Sequence, residues 1–497
     1  MVEWLISCRW SSNKSSLRQL ILFSDVAVVS GALIFIKDDL KINDTEIEVL
    51  AGIINLYSLL GSLAAGRTSD RIGRRYAIVV VAAFFFAGAL TMGLASGYAV
   101  LMLGRFVTGI GVGFALAVVP VYAAEIAPAS SRGFLSSLPE VFGNFGVLLG
   151  FVSNFAFAKL PGHLSWRVMF LAGAVPPVFL AAGVLAMPES PRWLVMQGRT
   201  AEAEAVLART SDSPEEAGHR LADIRKAVGA PGGRGGDVVP VPGRNRGEGV
   251  WKELLVSPTP AVRRVLLAAV GLHFFQQASG IDSVVLYSPR VFEKAGLRRK
   301  DQLLGATIAV GFAKTSFILV AAFLLDRVGR RPLLLSSAGG MVVSLLLLAS
   351  GLRAIDRTPD GEEASAWAVA LCVGTVLSFV GAFSVGLGPI AWVYGSEIFP
   401  TRLRAQGASL GAATNRVASG VVTMTFLSLC KAITTSGSFF LYAGVAAAGW
   451  VFFYAFLPET KGRRLEDIGE LFGNGEGENK SGGEVDMAGG ARTDPET

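Results

Sequence analysis

The chain is poor in charge, in histidine and in cysteine. Charged residues fill only 17% of its 497 positions, against about 25% in soluble domains, so a large water-facing surface and a soluble multidomain organisation are excluded. Three histidines occur, His163, His219 and His273. No nucleophile stands beside a base in a catalytic pattern, so no enzyme is expected. The three cysteines, Cys8, Cys372 and Cys430, are odd in number and lie in apolar or terminal contexts, which argues against a disulfide framework. A Walker-type phosphate loop is missing, so ATP drive is not expected, and neither is a cofactor or a metal ion. No secretory signal pattern opens the chain.

What the sequence has instead is long apolar runs. Apolar residues make up 52% of the chain and mean hydropathy is +0.51. The runs are about 20 residues long, the length a helix needs to cross roughly 30 Å of hydrocarbon. Tyr76 to Ala95, Trp166 to Met187, Pro332 to Leu352 and Ser438 to Leu457 are examples. With the less pure segments they give about twelve spans at that threshold. The first span is the least regular: Ser11, Ser12, Asn13, Lys14, Ser15, Ser16, Arg18 and Gln19 precede Leu20, leaving about 17 apolar residues, at the lower limit for crossing.

A basic block occurs twice between these runs. Gly66 to Arg75 reads GRTSDRIGRR and Leu325 to Pro332 reads LDRVGRRP, which suggests a duplicated chain of two six-span halves. The blocks, Ser130 to Gly133, Thr401 to Gly407 and Thr460 to Ile468 fall on one side if spans alternate, and the positive-inside bias makes that side cytoplasmic. Lys294 to Lys300 runs against the pattern locally. Both termini are then inside, and the net charge of +6 belongs to loops facing an anionic leaflet; nucleic-acid binding is not needed to explain it. The expected organisation is a six-helix half over 1–187, a cytoplasmic central loop over 188–262, a second six-helix half over 263–459 and a cytoplasmic tail over 460–497. Within the loop, Thr200 to Ala208 reads as a polar helix and Gly229 to Gly249 as a Gly/Pro-rich linker without fold. The tail after Phe472 is Gly-rich and polar, and no fold is expected there either. Asn43-Asp44-Thr45 is a short glycosylation sequon in the first outward loop.

Seven motifs in order carry a resemblance. They are GRTSDRIGRR, GRFVTGIGVGF at Gly104 to Phe114, PVYAAEIAPASSRG at Pro120 to Gly133, PESPRWL at Pro188 to Leu194, QQASGID at Gln276 to Asp282, GPIAWVYGSEIFP at Gly388 to Pro400, and PETKG at Pro458 to Gly462. Together they resemble the sugar porters of the major facilitator superfamily. Leu138 to Glu140 with Asn415 and Arg416 look more like plant-type polyol/monosaccharide proton symporters than hexose carriers. The resemblance implies an all-α membrane protein of twelve transmembrane helices in two pseudo-symmetric halves, located in the plasma membrane.

Chemistry assigns the charges to three groups. Asp70, Arg74 and Arg75 sit at a tight turn made possible by Gly73, where a carboxylate can pair with guanidinium forks and exposed helix ends. Asp326, Arg330 and Arg331 repeat them, with Glu125, Arg132, Glu397 and Arg404 as partners. This set reads as a cytoplasmic gate; the plainer alternative is that it only fixes topology. Asp25 and Arg105 lie inside apolar spans, where an unpaired charge costs about 2.5 to 3.5 kcal/mol, so they should meet. Gly104, Thr108, Gly111 and Ala115 follow helical spacing and allow a neighbouring helix to approach closely. The resemblance gives Asp25 the proton-coupling role, since DVAVVSGA matches the family's first-span pattern, with Ser24 where that pattern has an aromatic. A static buried pair is the alternative.

Polyhydroxylated solutes need amides and carboxylates at mid-membrane depth, because each hydroxyl both donates and accepts. Gln276, Gln277 and Asp282 supply these across Ser279 and Gly280, where the helix can break. Asn415 adds an amide. Trp392 adds a flat face, unless it only packs against lipid. Tyr287 stands with Leu286 where the family has a Tyr pair, and Asp282 stands where it has Asn, so the pocket is more acidic than a hexose site. Lys314 and Arg416 lie about ten residues into their spans, roughly 15 Å deep at 1.5 Å per residue, and need partners. Glu140 and Asp282 are the acids at similar depth. An internal network bordering the ligand site is one reading, a structural salt bridge the other. The expected function is proton-coupled symport of polyols or monosaccharides; an uncoupled facilitator and a sugar receptor that does not transport are the alternatives.

Overall fold

The computed structural model describes residues 27–126, 132–211, 213–228, 254, 256–297, 299–357, 365–399 and 403–460. These residues are almost entirely helical. The first half holds α1 (27–40), α2 (Asp44–Ile72), α3 (Arg74–Gly93), α4 (Tyr98–Ile126), α5 (Arg132–Phe157), and α6 (Gly162–Gly173) followed directly by α7 (Val175–Leu185). Three short helices follow, α8 (Pro191–Met196), α9 (Thr200–Thr210) and α10 (Pro214–Val228). The second half holds α11 (Pro260–Ala278), α12 (Ile281–Leu286), α13 (Ser288–Lys294), α14 (Lys300–Val328), α15 (Arg330–Asp356), α16 (Ala366–Val385), α17 (Leu387–Glu397), α18 (Arg404–Ile433) and α19 (Thr435–Phe456).

Among the described residues, 9 helical segments are long and apolar enough to cross a membrane, counting α6 with α7 and α16 with α17. Three further segments complete the twelve. The helix 27–40 begins at the edge of the described residues, α5 has a shorter apolar stretch over Gly143–Phe157, and α11 to α13 are interrupted. That interruption is local chemistry: Gly280 has φ +85, a left-handed conformation that costs glycine little, and a Cβ there would sit 2.7 Å from the Tyr442 ring.

Packing inside each half is close. α4 rests against both α2 and α3, and α15 against α16 and α19. On α2 and α4, small residues bring backbone onto backbone: a Cβ on Gly113 would lie 2.0 Å from the Ser58 carbonyl oxygen and 2.8 Å from the Cα of Gly61. Gly104 and Thr108 meet α3 at Met92 and Gly88, which is the close approach their spacing predicts. Large apolar side chains face outward, Leu63 at 78% and Phe179 at 72% exposure, as a lipid-facing surface requires. The halves meet where α2 packs on α18 and α5 on α14. The helices α8 to α10 enclose a small core of their own with Leu194, Val195, Ala203, Leu207, Leu221 and Ile224. The linker expected over 229–249 and the tail after Phe472 lie outside the described residues.

Candidate transport site

The two basic turns are built alike. In the first, Gly73 (φ +92) turns the chain between α2 and α3, and Arg74, 7% exposed, pairs with Asp70 at 2.9 Å and Glu125 at 3.3 Å. Glu189 accepts hydrogen bonds from the amides of Arg74 (3.0 Å) and Arg75 (3.1 Å), while Ser190 Oγ donates to Glu125 at 2.5 Å. In the second turn, with Gly329 at φ +107, Glu459 takes the place of Glu189: it accepts from the amides of Arg330 (3.0 Å) and Arg331 (2.9 Å). The likeness extends further. Tyr122 OH donates to the Pro188 carbonyl at 2.7 Å and Tyr394 OH to the Pro458 carbonyl at 3.0 Å. The Arg75 guanidinium donates to the Leu185 carbonyl and that of Arg331 to the Tyr454 carbonyl. Each carboxylate caps a helix whose first amides have no side-chain cap of their own, adding charge at the positive end of the helix dipole. Sequence reasoning missed Glu189 and Glu459. The signal was available, since Pro-Glu follows both the sixth and the twelfth apolar run. The side chains of Arg132, Asp326, Glu397 and Arg404 lie outside the described residues.

Arg105 on α4 is 2% exposed. Its Nε donates to the Leu50 carbonyl at 2.9 Å and its Nη2 to the Ala51 carbonyl at 3.2 Å, so the guanidinium ties α4 to α2. Its expected partner Asp25 lies outside the described residues.

Amides converge beside the break in α11. Gln276, 2% exposed, donates to the carbonyls of Leu387 and Gly388 at 3.1 and 3.0 Å, the first two residues of α17. Asn415, fully buried, donates to Gln276 Oε1 at 2.7 Å. Its own Oδ1 accepts from Gln277 Nε2 at 3.3 Å and from Arg416 Nε at 3.1 Å. Gln277 Oε1 is buried and has no hydrogen-bond partner among the described residues. One turn along α18, Ser419 Oγ donates to the Asp282 carboxylate. The structure thus gathers Gln276, Gln277, Asn415 and Arg416, with Asp282 alongside.

Trp392 joins this group through His273, whose ring it meets edge-on at 5.1 Å. His273 was not singled out by sequence, yet it is 2% exposed and its Nδ1 has no partner among the described residues. Tyr287 stands apart: its hydroxyl donates to the Thr423 carbonyl at 3.2 Å and its ring stacks on Phe426 at 5.2 Å. Lys314 lies on α14 next to Thr315, whose hydroxyl donates to the Asn144 carbonyl on α5 at 3.1 Å. Glu140 is one turn before Asn144, and its side chain lies outside the described residues. Arg416 also reaches the other half, donating from Nη1 to Asn55 Oδ1 of α2 at 3.2 Å.

At the end of the bundle opposite the basic turns, Asp44 gathers Lys37 at 2.7 Å, Lys431 at 2.7 Å and Arg290 at 3.3 Å. Glu48, 2% exposed, accepts from the Ser428 amide at 2.7 Å and its hydroxyl at 2.5 Å. These carboxylates on α2 had no role in the sequence reading.

Comparison with known proteins agrees with this architecture. Residues 5–472 match the profile of the family described as "Sugar (and other) transporter". Polyol transporter 5 of Arabidopsis thaliana is 61% identical over 459 residues, covering 92% of this chain and 85% of that protein. Among solved structures, the proton:xylose symporter XylE of the major facilitator superfamily, bound to 6-bromo-6-deoxy-D-glucose, superposes with a TM-score of 0.74 at 25% identity, over 95% of this chain and 99% of that one. A partially occluded inward-open conformation of the E. coli xylose transporter XylE gives 0.76 at 25% identity, over 93% and 100%. The chain is therefore an integral membrane transporter of the sugar transporter family, with the twelve-helix fold of the major facilitator superfamily.

Proposed function

We propose that this transporter carries polyols and monosaccharides across the plasma membrane together with a proton, by alternating access between its two halves. The observation that carries the reading is the amide relay of Gln276, Asn415 and Gln277 at the break in α11. Gln277 Oε1 is an acceptor already stripped of water with no partner among the described residues, and a solute hydroxyl can supply the missing donor. Asp282 and Ser419 extend the surface with a carboxylate and a hydroxyl. Linear polyols favour such a site because hydrogen bonds to charged groups contribute about 1.5 to 3 kcal/mol each, against about 0.5 to 1.5 for neutral ones. That margin offsets the ordering of an open chain. The 61% identity to a protein named as a polyol transporter supports the same solute class.

For the proton, Asp25 is the coupling carboxylate and Arg105 its partner; the neighbour described as a proton:xylose symporter supports coupling. A carboxylate released from a guanidinium by protonation shifts the balance between two conformations. The end with the basic turns faces the cytoplasm, as do both termini, following the arginine and lysine bias. The test is uptake in a transport-deficient host with a panel of labelled sugars and polyols, with and without a protonophore. Accumulation of a polyol that collapses with the gradient is expected. Uptake that ignores the protonophore leaves an uncoupled facilitator, and binding without uptake leaves a receptor.

A further inference from the structure

α2 and α18 run antiparallel along the line where the halves meet, and their polar contacts fall in register. Asp44, Glu48, Gly52 and Asn55 stand at helical spacing on one stripe of α2. Opposite them on α18 stand Lys431, Ser428, Gly420 with Met424, and Arg416. The bonds are Asp44 to Lys431 at 2.7 Å, Glu48 to the Ser428 amide at 2.7 Å, and Asn55 to Arg416 Nη1 at 3.2 Å. Between the second and third, the helices nearly touch: a Cβ on Gly52 would sit 2.3 Å from Met424 Cγ and 3.1 Å from the Gly420 carbonyl oxygen. The uppermost contact is at the outer mouth and the lowest is inside the solute site, because Arg416 also binds Asn415 Oδ1. The seam therefore joins the mouth to the amide relay in three polar steps.

We propose that Asn55 is a positioning residue that couples closure of this seam, the outer gate of alternating access, to the solute site. The inference rests on the transport reading above. With the mouth closed, Asn55 holds Arg416 against Asn415, which orients the Asn415 amide toward Gln276. Opening the mouth draws α2 from α18, and the Asn55 to Arg416 bond breaks with the two above it. Arg416 then loses its tie to α2, and Asn415 Oδ1 changes its engagement with Gln277. Solute occupancy and gate position thus bias one another, as linkage between two sites requires.

Three α2 variants test this. Asn55→Val removes the acceptor and should raise KM about tenfold, the loss of one hydrogen bond, with kcat changed less than about twofold. Asn55→Asp keeps the acceptor and adds charge beside Arg416, so KM should return to the unsubstituted value while kcat falls about fivefold, because the closed mouth is held longer. A second readout needs no transport. In a chain with Cys8, Cys372 and Cys430 replaced, spin labels at Thr45 and Ile433 report the distance across the mouth. Asn55→Val and Glu48→Gln should both shift the solute-free distribution toward longer distances, and Asn55→Asp toward shorter ones. Unchanged distances in all three variants, or Asn55→Val and Asn55→Asp moving together, would overturn the proposal. Should Asn55→Val fail to fold, Glu48→Gln, which keeps side-chain shape and sits about two turns higher, decides the gate alone. If the unsubstituted chain carries no solute, the transport reading fails, and the distances still decide the seam.

Discussion

Replacing Asn415 by Ala tests the amide relay where it is most connected. The side chain is fully buried, donates to Gln276 Oε1 at 2.7 Å, and shares its oxygen between Gln277 Nε2 and Arg416. Truncation leaves Gln276 anchored, since its amide nitrogen still donates to the carbonyls of Leu387 and Gly388. Gln277 has no such reserve among the described residues, where its side chain bonds to Asn415 and its Oε1 has no partner. A buried polar group left unsatisfied costs about 1 to 3 kcal/mol. If Gln277 turns away to find water, the solute loses both atoms of that amide, so binding should weaken by about 1.5 to 3 kcal/mol, about 10- to 150-fold in KM. Concentration-dependent polyol uptake, normalised to transporter at the membrane, measures it. The loss should sit in KM, because the relay contacts solute before the halves move. A KM within about twofold of the unsubstituted chain would show that solute binds elsewhere, since even one neutral hydrogen bond exceeds that change.

Asp25→Asn should abolish accumulation while preserving exchange of labelled for unlabelled solute, and full accumulation by this variant would move the coupling carboxylate elsewhere. Uptake by the unsubstituted chain should rise as external pH falls and should carry net positive charge inward, which an electrode records as solute-dependent current. Glu140→Gln and Asp282→Asn should each weaken polyol uptake more than pyranose uptake; equal losses for both classes would make these acids structural. Glu189→Ala and Glu459→Ala should lower turnover with KM little changed, because each uncaps two amides at a hinge turn, about 1 to 3 kcal/mol per buried group, far from the amide relay. A rise in KM with turnover intact would contradict that assignment.

Spans and motif residues were legible in the sequence because the signals are local. Twenty apolar residues define a crossing, and Gly73 and Gly329 fall where both basic turns need a positive φ. Gln276, Gln277 and Asn415 were legible because buried amides are conspicuous among apolar neighbours, and the structure brings them together. Partners were harder to read than positions. The bonds of Arg416 to the amides of Asn415 and Asn55, the latter 361 positions away, had no signal in the sequence. Tyr287 suggested a solute contact from its motif, whereas its hydroxyl goes to a backbone carbonyl. Glu48 resembles any acid near the start of a helix until the fold sets Ser428 against it. Register between distant helices is set by packing, and no periodicity within one helix encodes it.

The tight seating of α2 on α4 gives the first half the mechanics of a lever. Asp44 lies 17 positions before Gly61 along α2, about 26 Å at 1.5 Å per residue, and Ile72 lies 11 positions beyond, about 16 Å. With the fulcrum near Gly61, widening the Asp44 end by about 5 Å takes a tilt of about 11°, parts α2 from α18 by about 2 Å at Asn55 and swings the Ile72 end about 3 Å the other way. The unequal arms mean that the mouth near Asp44 moves more than the mouth near Ile72. Backbone contact at Gly61 and Gly113 makes α4 travel with the rod, so the stroke is delivered to Asp70, Arg74 and Glu125.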